Sequence, residues 1–238
     1  MSAILPLRID RVGYAAGGKT LIVGIDATLE AGPRTVILGP NGAGKSLTLR
    51  LCHGLLRPTS GAVIWRRPEA ETRHRQAMVF QRPILLRRSA AANIGYALSL
   101  AGVPRQQRRE RIEDALAQTR LTEVADRSAR VLSIGEQQRL ALARVWALQV
   151  EVVFLDEPTA SLDPGATRAV EAIVNAMDAA GTKIVMTTHD MGQARRMADE
   201  ILFLHRGRLI ERAPAEEFFA QPRTPEARAF VRGELLPN

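Results

Sequence analysis

The sequence predicts an α/β fold with a mainly parallel core sheet, an antiparallel β region, and a helical subdomain inserted into the core. Three stretches carry that prediction. Arg34 to Arg50, RTVILGPNGAGKSLTLR, reads as a β-branched strand, a glycine-rich turn and the start of an apolar-periodic helix, in the order a phosphate cradle needs. Val150 to Leu155 is a near-continuous apolar run suited to a strand buried on both faces, and Asp156 and Glu157 close it. From Ser89 to about Ala147 the patterning becomes helical.

In chain order, Leu5 to Val12 and Thr20 to Leu29 alternate as two antiparallel strands, with the turn at Gly17 and Gly18. Tyr14, between them, is placed to stack on a nucleotide base or, alternatively, to pack as an edge-strand residue. In the cradle, Gly39, Gly42 and Gly44, interspersed with Pro40, Asn41 and Ala43, admit backbone conformations that let successive N–H groups converge on one anion. Lys45 then reaches the terminal phosphates and the Ser46 hydroxyl is placed to hold Mg2+, while Leu47 keeps a backbone donor. A chance match is the alternative; the flanking strand and helix argue against it.

Pro58 to Gly61 marks a turn, Ala62 to Trp65 a strand, Arg66 to Arg75 a loop, and Gln76 to Phe80 a strand. Gln81 follows it, either as a polar boundary residue or as a side chain reaching a metal or water near the phosphates. Helices are expected over Ala90 to Ala101, Pro104 to Thr119, with Pro104 in the first turn, and Glu136 to Leu148. The densely basic stretch Pro104 to Arg111 shares its helix with Glu110, Glu113 and Asp114, as on an exposed helix face. The core resumes at the Val150 strand. Its two terminal carboxylates would be costly if buried and unpaired, and a role in a metal shell and in orienting or deprotonating water resolves that cost. Ser161 to Pro164 starts a helix running to Ala180; Lys183 to Thr187 is another parallel strand ending in Thr188, His189 and Asp190. A helix over Met191 to Ala198, a strand pair around Gly207 and two short helices complete the pattern.

The 238 residues suffice for one core, or one core with a small subdomain. An apolar fraction of 46% with 24% charged residues reads as globular, and no apolar run approaches the ~18 residues needed to cross a bilayer. Met1 to Val12 lacks the basic start and apolar middle of a signal peptide, so a membrane role is expected to come through a partner. The net charge of +8 fits an anionic partner or simply an arginine-rich solvated surface with interspersed acids. Cys52, the only cysteine, falls in the apolar rhythm of the helix after the loop and reads as core.

Together these segments resemble the nucleotide-binding subunits of ATP-binding cassette (ABC) transporters over nearly the whole chain, a P-loop NTPase fold. The matching pieces are Tyr14, the Walker A loop Gly39 to Ser46, the Q-loop residue Gln81, the signature stretch LSIGEQQR (Leu132 to Arg139), Walker B (Val152 to Asp156) with Glu157, the D-loop Ser161 to Asp163, and the switch histidine His189. The resemblance implies ATP and Mg2+ as cofactors and a head-to-tail homodimer. In it, Ser133 and the Gly135 N–H, with Glu136 beside them, would face the γ-phosphate held by the partner's Lys45. It also implies that Ser46, Gln81 and Asp156 serve the metal, Glu157 acts on water, His189 contacts the γ-phosphate, and Asp163 completes the nucleotide surroundings. The core would comprise about 1–82 and 148–238 and the helical subdomain about 83–147.

Two positions depart from the family pattern. Ile134 stands where the signature's first glycine is usual, a poor residue for positive φ, and Leu47 replaces a threonine. Neither alters the metal ligands or the base, so an active ATPase is expected. The chain looks most like the ATPase of a bacterial importer, peripheral on the cytoplasmic face of the inner membrane. Its partners would be transmembrane permease subunits and an extracytoplasmic solute-binding protein. Phe80 to Ile94, FQRPILLRRSAAANI, is similar to importers of tungstate, molybdate and phosphate. An exporter ATPase is the nearest competitor. A DNA-associated ABC ATPase would use the positive charge on phosphates, but it commonly carries coiled coils or zinc modules, so no direct nucleic-acid contact is expected.

Overall fold

In the computed structural model, which describes residues 2–234, the chain opens with β1 (Leu7–Ala16) and β2 (Lys19–Leu29), an antiparallel hairpin turned at Gly17 and Gly18. Tyr14 does not stand between the strands. It lies inside β1, paired with Ile22, half-buried against the core below. Irregularities between Ile9 and Ala15 interrupt the alternation, which is why the pattern ends early while the strand continues. The buried strand β3 (Thr35–Leu38) leads into α1 (Lys45–His53), and β4 (Ser60–Trp65) joins the hairpin as a three-stranded sheet in the order β2-β1-β4. The expected loop after β4 contains one helical turn, α2 (Glu69–Thr72), started by Pro68 and held by an Arg73–Glu69 ion pair at 2.8 Å. A single turn is too short to leave a periodic signal.

After β5 (Gln76–Val79) come α3 (Ala90–Leu100), α4 (Arg105–Gln118) and α5 (Ile134–Leu148), which pack around their own cluster of Ile94, Leu98, Leu116, Leu121 and Leu140. Pro104 is outside the first turn: its ψ of 139° is extended, and it flanks α4 at the N-cap. α5 begins two residues before the expected Glu136 because Ser133 caps it.

The remaining elements are β6 (Val152–Asp156), α6 (Pro164–Ala179), β7 (Lys183–Thr188), α7 (Met191–Met197), β8 (Glu200–His205), β9 (Arg208–Pro214), α8 (Ala215–Ala220) and α9 (Pro225–Val231). They complete a six-stranded sheet ordered β5-β6-β7-β3-β8-β9, parallel except for β9. One face packs on α5, α6, α7 and α8, the other on α1 and the antiparallel sheet. Val152, Val153, Phe154 and Leu155 are all essentially inaccessible, each burial contributing roughly 1.5–3 kcal/mol before entropy is counted. Cys52 is buried as expected, and burial pushes its thiol up to about 12. Because β6, β7 and β3 are parallel neighbours, their C-terminal ends meet at one edge, where open α/β sheets bind ligands.

Candidate active site

The cradle forms where β3 gives way to α1. Gly39 is required by proximity, since a Cβ there would sit 2.2 Å from the Leu204 carbonyl oxygen. Gly44 is required by conformation: at φ 99° it is the N-cap of α1 and offers no side chain to the first-turn donors. Those N–H groups are the ones an anion can take. Lys45, 5% exposed, folds back so that Nζ donates to the carbonyls of Gly39 (2.9 Å) and Pro40 (3.1 Å). It also lies 3.4 Å from Glu157 Oε1.

Asp156, 3% exposed at the end of β6, is a buried carboxylate with partners. Ser46 Oγ donates to its Oδ1 at 2.6 Å and Thr187 Oγ1 to the same oxygen at 2.9 Å, while Arg50 approaches Oδ2 at 4.0 Å. Two hard oxygen donors, Ser46 and Asp156, side by side next to a phosphate cradle suit Mg2+, which takes oxygen ligands from few protein groups and keeps waters and phosphates for the rest. Glu157 leaves the strand at φ 45°, its N–H donating to Thr187 Oγ1 at 3.0 Å, and its carboxylate lies 3.1 Å from His189 Nδ1. Gln81, exposed two residues beyond β5, lines a cleft of about 380 Å³ with Glu157, Thr188 and His189. Thus Lys45, Ser46, Gln81, Asp156, Glu157 and His189 gather at one sheet edge.

The expected signature residues and Asp163 lie elsewhere, at the starts of α5 and α6. Ser133 is the N-cap of α5 in a closed capping box: Ser133 N and Oγ donate to Glu136 Oε2, both at 2.8 Å, and Glu136 N donates to Ser133 Oγ at 3.3 Å. Those bonds to the Ser133 backbone and side chain hold the Glu136 carboxyl below its usual value. Ile134 is the first helical residue and 65% exposed, so position 134 does not adopt the positive φ that would demand glycine. Gly135 is small for a packing reason, because a Cβ would meet the Ala166 Cβ at 2.9 Å. Asp163 caps α6 by accepting from Ala166 N (2.9 Å) and Gly165 N (2.8 Å), and these donors lower its carboxyl. None of these residues shares a hydrogen bond with the cradle among the described residues.

The sequence reading missed Thr187 and Arg50. A signal for Thr187 existed: β7, like β6, is an apolar run whose last residues turn polar, and register pairs Thr187 with Asp156.

The family model described as "ABC transporter" matches residues 22–160, from the second strand through the cradle and signature stretch to just past Glu157. The chain belongs to the ABC transporter family. The phosphate import ATP-binding protein PstB 2 of Natronomonas pharaonis is 35% identical over 248 residues, covering 97% of this chain and 87% of the relative. The methionine import ATP-binding protein MetN 2 of Rhodococcus jostii is 37% identical, covering 92% of this chain and 68% of its own length. The tungstate uptake ATP-binding protein TupC of Peptoclostridium acidaminophilum is 36% identical, covering 90% and 100%. Among solved structures, cbiO1 from Clostridium perfringens, part of the ABC transporter complex cbiONQ, superposes with a TM-score of 0.82 at 29% identity, over 90% of each chain. This ABC subunit therefore binds ATP and is an ATPase. Among the described residues no helix is long and apolar enough to cross a membrane.

Proposed function

We propose that this ABC subunit energises a bacterial importer of a small oxyanion such as tungstate, molybdate or phosphate, from the cytoplasmic face of the inner membrane. In this proposal it works as a head-to-tail pair on permease subunits, fed by an extracytoplasmic solute-binding protein. The observation that carries the catalytic part is the line Lys45, Glu157, His189 beside the Ser46–Asp156 pair. ATP phosphates replace the Gly39 and Pro40 carbonyls as partners of Lys45 and take the free first-turn N–H groups of α1. Ser46 and Asp156 would hold Mg2+, with Gln81 joining them, and the ion would supply charge neutralisation at the phosphates. Released from Lys45, Glu157 aligns or deprotonates the attacking water, and His189 contacts the γ-phosphate. The second copy contributes Ser133 and the Gly135 N–H, with Glu136 and Asp163 nearby, and Tyr14 stacks on the base. Residues of about 83–147 form the helical subdomain that carries the signature stretch, on a core of about 1–82 and 148–238.

The phosphate- and tungstate-named relatives and the Phe80 to Ile94 segment support the cargo class. Reconstitution with the cognate permease in vesicles tests it. ATP-dependent uptake of labelled tungstate or phosphate is the expected result, and uptake of methionine in their place would overturn the cargo assignment.

A further inference from the structure

We propose that Thr187 is a positioning residue for ATP hydrolysis, one hydroxyl setting the Asp156 carboxylate and the Glu157 backbone together. The three residues of β7 before it (Ile184, Val185, Met186) are buried and apolar, and Thr187 is itself 0% exposed. A hydroxyl in such a place has to be satisfied, and both of its capacities are used on the site. Its proton goes to Asp156 Oδ1 at 2.9 Å and its lone pair receives the Glu157 N–H at 3.0 Å. Oδ1 also takes the Ser46 proton at 2.6 Å, so two donors fix the plane of the carboxylate.

Glu157 needs the second bond more. At φ 45° it occupies the left-handed region, which disfavours a residue with a Cβ. That turn points its carboxylate between Lys45 (3.4 Å) and His189 (3.1 Å). Without an acceptor at Thr187 Oγ1, the part-buried Glu157 N–H would lose its partner and the backbone would relax, moving the carboxylate. Thr187 touches neither Lys45 nor His189 by hydrogen bond, so it acts through Asp156 and Glu157.

The proposal rests on the assignment of Glu157 as the residue that acts on water. Steady-state ATPase assays on the full chain compare wild type, Thr187→Val, which keeps the β-branched shape without the hydroxyl, Thr187→Ser, which keeps the hydroxyl, and Glu157→Gln. The expected result is a kcat lowered roughly tenfold to a hundredfold in Thr187→Val with KM for ATP within about threefold of wild type, and recovery to near wild type in Thr187→Ser. Wild-type kcat in Thr187→Val, or no recovery in a folded Thr187→Ser, overturns the proposal. If Thr187→Val does not fold, Thr187→Ala replaces it with the same expectations. An active Glu157→Gln would sink the assignment of Glu157 instead; an inactive one beside a wild-type Thr187→Val would sink only the role of Thr187.

Discussion

Two helices in this molecule begin at proposed phosphate contacts, and they begin in opposite ways. α1 starts at Gly44 with no side-chain cap, among the buried ends of β3, β6 and β7, so its first-turn donors are left for a ligand. α5 starts at Ser133 with a closed capping box, at the surface, with Ile134 exposed beside it. The first terminus has donors prepared by the fold. In the second, the Ser133 N–H and hydroxyl are taken by Glu136 and the Glu136 N–H by Ser133 Oγ, so for Ser133 to serve a second copy the box has to rearrange. A site can thus be half built into a chain and half conditional on assembly.

The sharpest way to separate the two halves is Glu157→Gln, where turnover is expected to fall by about a hundredfold or more because the amide keeps shape and loses the charge. ATP binding should persist, and ATP-dependent dimers should accumulate in size-exclusion chromatography. Near-normal turnover would remove Glu157 from the mechanism.

Ser133→Arg attacks the conditional half. Bulk and charge at the α5 N-terminus should reduce turnover by about tenfold or more while ATP affinity of the isolated chain stays within a factor of about two. A comparable loss of affinity would mean that Ser133 belongs to the cradle after all. Lys45→Ala attacks the built half: losing a charge-assisted bond to the phosphates is expected to weaken ATP binding by about tenfold to a hundredfold. Titration with a fluorescent ATP analogue checks this, and affinity equal to that of Glu157→Gln would contradict the cradle as described.

Ile134→Gly is expected to stay within about tenfold of wild-type turnover, ~1.4 kcal/mol in the barrier, because position 134 is helical and its side chain points to solvent. A folded but inactive variant would show that the side chain itself takes part. The smallest effect concerns the box. Glu136 titrates below its usual value in the folded chain, so its contribution is present above the unfolded value of 4.5 and lost as pH falls through the lower folded value. Glu136→Ala should therefore lower Tm by about 2–4 °C at pH 7, the effect of ~1 kcal/mol in a chain of this size. That difference should shrink on acidification below 4.5. A Tm gap independent of pH would mean that Glu136 acts through packing.

The sequence by itself determined the α/β class, the strand-loop-helix around Lys45, the carboxylates closing β6 and the helical insertion. Each is written in contiguous residues, through apolar period or the φ demands of a turn. The box at Ser133 went unread, although its Ser-x-x-Glu spacing stands in the sequence, and the helix was expected to begin only at Glu136. Tertiary structure alone decided that Tyr14 lies within a bulged strand, that Gly135 is small because α6 crosses there, and that Thr187 joins Asp156 to Glu157. Thr187 and Asp156 stand 31 residues apart and meet only because β6 and β7 pair in one register. Register is set by how the whole sheet buries its apolar faces, so no local stretch of sequence carries it.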